Sequence, residues 1–104
     1  MAGPHKPYCT LLDKWKLVEA IHSDPELTST DKVVAFHIIT FFNRYTANCY
    51  PSYETLAGRA KVSRRAVIKS VNRLVDGKWF SRRKWTGRGR SNYYFPAFER
   101  GKNG

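Results

Sequence analysis

Apolar positions recur along this chain with helical spacing three times before the pattern changes. Thr10 and Asp13 have the separation of a capping box, in which a hydroxyl and a carboxylate satisfy backbone N–H groups at a helix start. Leu11, Leu12, Trp15, Val18 and Ile21 follow at three- and four-residue steps, predicting a first helix of about three turns with one apolar stripe. Ser23, Asp24 and Pro25 stop it, because proline cannot extend the ladder and restricts the residue before it. Thr28 and Asp31 repeat the start signal. The run Val33 to Phe42 then carries apolar groups around almost the whole circumference, which predicts a central buried helix with His37 as a hydrogen-bonded core residue. Asn43 to Asn48 is polar and turn-prone, and Cys49 and Tyr50 leave room for only a very short strand.

Two shorter helices come next. Ser52 is a good N-cap behind Pro51, Leu56 and Ala57 supply a small inner face, and Gly58 and Ala60 keep the helix slim. Ser63 caps the second, whose inner residues Val67, Val71 and Leu74 repeat at four and three with Val75 adjoining. Gly77 is expected to end it in a left-handed conformation. Two short helices separated by a tight turn form the helix-turn-helix pattern. From Trp79 the period shortens. "KWFSRRKW", "TGRGRS" and "NYYFPAF" read as strand, glycine-punctuated loop and strand, a β-hairpin. The expected organisation is an N-terminal arm over residues 1–9, one domain over 10–98, and a flexible polar tail over 99–104.

Composition narrows the class. At 104 residues with 41% hydrophobic side chains, the chain fills one modest core. Its longest nearly apolar stretch, Val33 to Phe42, is about half of what a bilayer span requires. Met1 to Pro7 has no secretory pattern, so a cytoplasmic location is expected. Cys9 and Cys49 lack metal-ligand spacing and are expected to be free thiols, and His5, His22 and His37 are scattered, so no metal and no cofactor are expected.

Charge adds more. Residues 1–51 hold five basic and five acidic groups, whereas residues 52–104 hold fourteen basic and three acidic ones, so the entire net charge of +11 lies in the second half. A polyanionic partner suits that half. Its three carboxylates, Glu54, Asp76 and Glu99, and its lack of histidine disfavour acid–base catalysis, and an enzyme is not expected.

The order helix, helix, short strand, "PSYETLA", "KVSRRAVIKSVNRLVDGKW" and a basic hairpin resembles winged helix-turn-helix DNA-binding domains, in particular those of bacteriophage and plasmid replication proteins and small bacterial transcriptional regulators. The resemblance covers Thr10 to Phe98 and is most specific over Pro51 to Trp79, with "GRGRSNYYF" as the wing. It implies a mainly helical fold with a small hairpin, double-stranded DNA as the partner, and a recognition helix starting at Ser63. It leaves the choice between transcription and replication open.

A recognition helix presents polar and cationic groups opposite its core residues, because groove edges offer acceptors and phosphates offer charge. With Val67, Val71 and Leu74 inward, Arg65, Lys69, Asn72 and Arg73 fall broadly opposite and Arg64 lies at the flank. Arg64, Arg65 and Lys69 are the base-edge candidates, with Asn72 a candidate for adenine; Ile68 stays unassigned. Ser52 and Ser63 cap helices whose N-termini also suit phosphates, and Arg59 and Lys61 flank the turn as backbone contacts. In the wing, Arg88 and Arg90 between Gly87 and Gly89 fit a narrow minor groove, and Arg82, Arg83 and Lys84 fit the backbone. Trp79, Phe80, Trp85, Tyr93, Tyr94 and Phe95 leave an alternative, stacking on single-stranded DNA or RNA, although hairpins also need rings to cover a core. A third alternative is a protein-interaction adaptor built on the apolar first half. A homodimer through the first helix is compatible with the sequence, and no small-molecule ligand is indicated.

Overall fold

The computed structural model describes residues 7–84 and 92–102. Its elements run α1 (Leu11–His22), α2 (Ser29–Phe41), α3 (Tyr53–Ala60), α4 (Arg64–Asp76), β1 (Phe80–Arg83), β2 (Tyr93–Pro96) and α5 (Phe98–Lys102). Both sequence-level start signals are capping boxes. Thr10 Oγ1 accepts the Asp13 N–H at 3.0 Å while Asp13 Oδ2 accepts the Thr10 N–H at 2.9 Å. Thr28 and Asp31 repeat the exchange at 3.1 and 3.0 Å. α2 is the centre of the bundle, packed on α1, α3 and α4.

The inner faces differ in part from the sequence expectation. Leu17 and Ile21 bury α1, while Leu11, Leu12 and Trp15 stand 67%, 57% and 58% exposed. The helix is packed on α2 and α5, and those contacts select Leu17 rather than Leu11, Leu12 and Trp15. α2 buries Val34, Ala35, Ile38 and Ile39 but leaves Val33 and Phe36 exposed, so it is covered on about half its circumference rather than all round. His37 is half-buried and meets the Phe36 ring edge-on at 5.3 Å, and no hydrogen bond to another described residue engages its imidazole. Burial, with Arg59 nearby, lowers its pKa from the ordinary value.

Cys49 and Tyr50 do not form a strand. Cys49 instead contributes a single carbonyl to the hairpin edge, accepting the Tyr94 N–H at 2.8 Å. β1 and β2 are antiparallel, with Phe80 opposite Pro96 and Arg83 opposite Tyr93. Phe80 and Tyr94 turn into the core together with Trp79.

α4 ends in a Schellman arrangement, Trp79 N–H to Leu74 O at 3.0 Å and Lys78 N–H to Val75 O at 3.0 Å. The left-handed residue is Lys78 (φ 66°), one position beyond the expected Gly77, whose φ is −79°. Around Gly58 nothing lies within 4 Å of an added Cβ, so slimness there is not required by packing.

Over residues 99–102, where a flexible tail is expected, the chain instead continues α5 (Phe98–Lys102), which lies on α1. Gly101 explains the closeness: an added Cβ would sit 2.7 Å from the Leu17 nitrogen and 2.8 Å from the Lys16 carbonyl carbon. Arg100 stacks 3.7 Å from the centre of the Trp79 ring and donates to the Gly77 carbonyl, tying α5 to the end of α4. Nor do the last residues of the expected arm hang free, since Cys9 is buried and the Tyr8 N–H bonds the Arg44 carbonyl at 2.6 Å.

Candidate nucleic-acid interface

α3, the turn Lys61–Val62–Ser63 and α4 form the helix-turn-helix. Ser52 caps α3, its Oγ accepting the Thr55 N–H at 3.0 Å, and Ser63 caps α4 by accepting the Ala66 N–H at 3.1 Å. Lys61 makes the turn by adopting a left-handed conformation (φ 61°), and the Val62 N–H then reaches the Ala57 carbonyl at 3.1 Å. Val67, Ser70, Val71 and Leu74 turn inward. That fixes the opposite face: Arg65, Lys69 and Asn72 form an exposed outward row, and exposed Asp76 closes it with negative charge at the C-terminal end. The cationic end is the N-terminal one, where the helix dipole also favours anions.

α4 is seated by a buried carboxylate. Asp31, fully buried, accepts from Ser70 Oγ at 2.6 Å and from Arg73 Nη1 at 2.9 Å on each oxygen, besides closing its own capping box. Burial pushes this carboxyl up, but the hydrogen bonds from Ser70, Arg73 and the Thr28 N–H together outweigh that and hold it below the ordinary carboxylate value. Arg73 therefore does not stand free opposite the core as the helical wheel implied; its Nη1 is bound to α2. Sequence spacing within α4 carries no information about a partner 42 positions away.

The other site residues are distributed as follows. Arg64 Nε donates to Glu54 Oε2 at 2.6 Å, and its guanidinium lies 5.4 Å from the centre of the Tyr53 ring. Arg59 lies over Phe41, 5.0 Å from the ring centre. Asn72 Oδ1 accepts from Arg82 Nη1 at 2.7 Å, joining α4 to β1. Asn92 Nδ2 donates to Tyr53 Oη at 2.9 Å, joining the start of β2 to α3. Arg83 and Lys84 are exposed beside them, and Ile68 is half-buried. Trp85, Arg88 and Arg90 lie outside the described residues. Glu54, Tyr53 and Asn92 escaped the sequence reading as members of this surface, because each acts through a partner on another element.

A pair of crossed helices with a hairpin following the second is the winged helix-turn-helix arrangement, a DNA-binding class. A family model described as helix-turn-helix domain matches residues 26–79, just over half of the chain, and the protein belongs to that family. Neither a curated protein nor a solved structure matches the chain.

Proposed function

We propose that the protein binds double-stranded DNA with a sequence preference, placing the N-terminal half of α4 in the major groove and the hairpin on the neighbouring backbone or minor groove. The observation that carries this reading is the outward row Arg65, Lys69 and Asn72 on the second helix of the helix-turn-helix. Ser63, Arg64 and, through its remaining N–H groups, Arg73 flank that row. Ser52, Arg59, Lys61, Arg82, Arg83, Lys84, Arg88 and Arg90 serve the backbone and the wing. The location of all the net charge in the same half supports this. Burial of Trp79, Phe80 and Tyr94 favours a duplex over stacking on single strands, since those rings are committed to the core.

The role is transcriptional control or replication initiation of the bacteriophage or plasmid kind, in a bacterial cytoplasm. Among the described residues no helix is long and apolar enough to cross a membrane. The folded unit takes in Cys9 at one end and α5, to Lys102, at the other. A binding protein rather than an enzyme is supported by the basic half's carboxylates: Glu54 is paired with Arg64, and Asp76 and Glu99 lie exposed on separate helices.

Selection from a random duplex pool, followed by binding measured at rising salt, tests this. Arg65→Ala and Lys69→Ala should each cost about 1–3 kcal/mol on the selected site and relax one position of it. An equal loss on every sequence makes them phosphate contacts and refutes the base-reading assignment. Neutralising Arg88 and Arg90 should lower the slope of log affinity against log salt by up to about 0.9 per phosphate contact, and an unchanged slope removes the wing.

The partner set includes a second copy of the chain. Leu11, Leu12 and Trp15 are exposed on the charge-neutral half, so a pair joined there keeps its two basic halves apart and serves two half-sites. Sedimentation should give a dimer that Trp15→Glu splits; a wild-type monomer at about 100 μM, ample for a micromolar dimer, rejects it.

A further inference from the structure

The shortest ion pair among the described residues lies on the proposed DNA face, 2.6 Å between Arg64 Nε and Glu54 Oε2. Both side chains are more than half exposed, and such pairs add little to stability. A carboxylate on a surface meant for phosphates is also a handicap to binding. Glu54 is one of only three acidic groups in residues 52–104, so its place beside the first residue of α4 calls for a reason other than stability.

The geometry of the guanidinium supplies one. Arginine presents five N–H groups in a planar fork. Glu54 takes the Nε side of that fork, and the guanidinium carbon lies over the Tyr53 ring, 5.4 Å from its centre. Tyr53 is itself held by Asn92 from the base of the hairpin. No hydrogen bond to another described residue engages Nη1 or Nη2 of Arg64. The end formed by Nη1 and Nη2 is left open, and its two parallel N–H donors match O6 and N7 of guanine in the major groove.

We infer that Glu54 is a positioning residue that holds Arg64 for bidentate contact with a guanine, at the expense of indiscriminate attraction to phosphates. This rests on α4 being the recognition helix, and it deepens that reading by naming the base. An arginine ordered before binding loses less side-chain freedom on the correct base. The same carboxylate repels backbone everywhere, so it weakens complexes that lack the guanine contact most.

The experiment is selection from a random duplex pool with wild type, Glu54→Ala, Glu54→Gln and Arg64→Ala, with affinities for the selected site and for random duplex. Wild type should enrich a guanine at one position, and that same position should turn degenerate in both Glu54→Ala and Arg64→Ala. Random-duplex affinity should rise about two- to fivefold in Glu54→Ala, with selected-site affinity unchanged or lower. Glu54→Gln keeps an acceptor for the Nε–H and should retain part of the preference.

Persistence of the guanine in Glu54→Ala overturns the inference. So does a parallel gain on both DNAs, the mark of simple charge repulsion, or a parallel loss, the mark of a structural role. A wild-type motif with no Arg64-dependent guanine also overturns it while leaving duplex binding intact. Failure of wild type to bind any duplex removes the DNA-binding reading itself.

Discussion

Replacing Asp31 by Ala tests the seating of α4, the second helix of the helix-turn-helix. The substitution takes away the N3 half of the α2 capping box, worth about 1 kcal/mol by comparison with N-cap losses. It strands the Ser70 hydroxyl, which is buried and bonded to Asp31 at 2.6 Å, at about 1–3 kcal/mol. Arg73, whose side chain is 46% exposed, can rehydrate, so its loss adds less than about 1 kcal/mol. The expected destabilisation is about 2–5 kcal/mol, read as a lower urea midpoint with unchanged slope, or as a fall of roughly 10–40 °C in Tm. Tryptophan fluorescence suits the assay because Trp79 is buried at the end of α4. A double-mutant cycle with Ser70→Ala should give a coupling of at least about 1 kcal/mol.

Acid provides a second arm. The carboxyl's folded-state pKa is depressed, so its stabilisation is fully present above the unfolded value near 4 and is lost as pH falls through the lower folded value. Wild type should therefore lose stability below about pH 4 more steeply than Asp31→Ala. A destabilisation under about 0.5 kcal/mol, together with identical acid profiles, would refute the role given to Asp31.

Two further outcomes are expected. Gly101→Ala should cost about 1–3 kcal/mol, because its methyl meets α1 backbone atoms, which cannot move aside as a side chain can; thermal unfolding equal to wild type would show that α5 does not lie there. Burial pushes the Cys49 thiol up to about 12, so its alkylation at pH 8 should be on the order of a thousandfold slower than for a solvent-exposed cysteine until the protein is unfolded, and burial raises Cys9 as well, so it too should react more slowly. Labelling of either thiol at the free rate in the folded protein would contradict the packing.

What the sequence revealed was local. Both capping boxes lie within four residues, and the Val67, Val71 and Leu74 repeat identifies the buried side of α4 without knowledge of its neighbours. Readings failed where another element decides. Leu11, Leu12 and Trp15 are more apolar than the half-buried Ala20, yet α1 faces the core through Leu17 and Ile21 because α2 and α5 pack there. α5 carries no apolar stripe beyond Phe98, and its glycine, which suggested a tail, marks contact between backbones. Within the candidate site, the outward row follows from periodicity, whereas the engagement of Arg73 by Asp31, Arg64 by Glu54 and Arg82 by Asn72 depends on tertiary approach.

The two bonds at the foot of the hairpin, Arg82 to Asn72 and Asn92 to Tyr53, have a consequence for recognition. They fasten β1 to α4 and the residue preceding β2 to α3, so both sides of the hairpin are tied at its base to the helix-turn-helix. If the protein grips a duplex as proposed, this fastening sets the spacing between α4 and the hairpin base, and DNA whose grooves do not match that spacing must deform to fit. Under that proposal groove width becomes a readable property, at base pairs that no side chain touches.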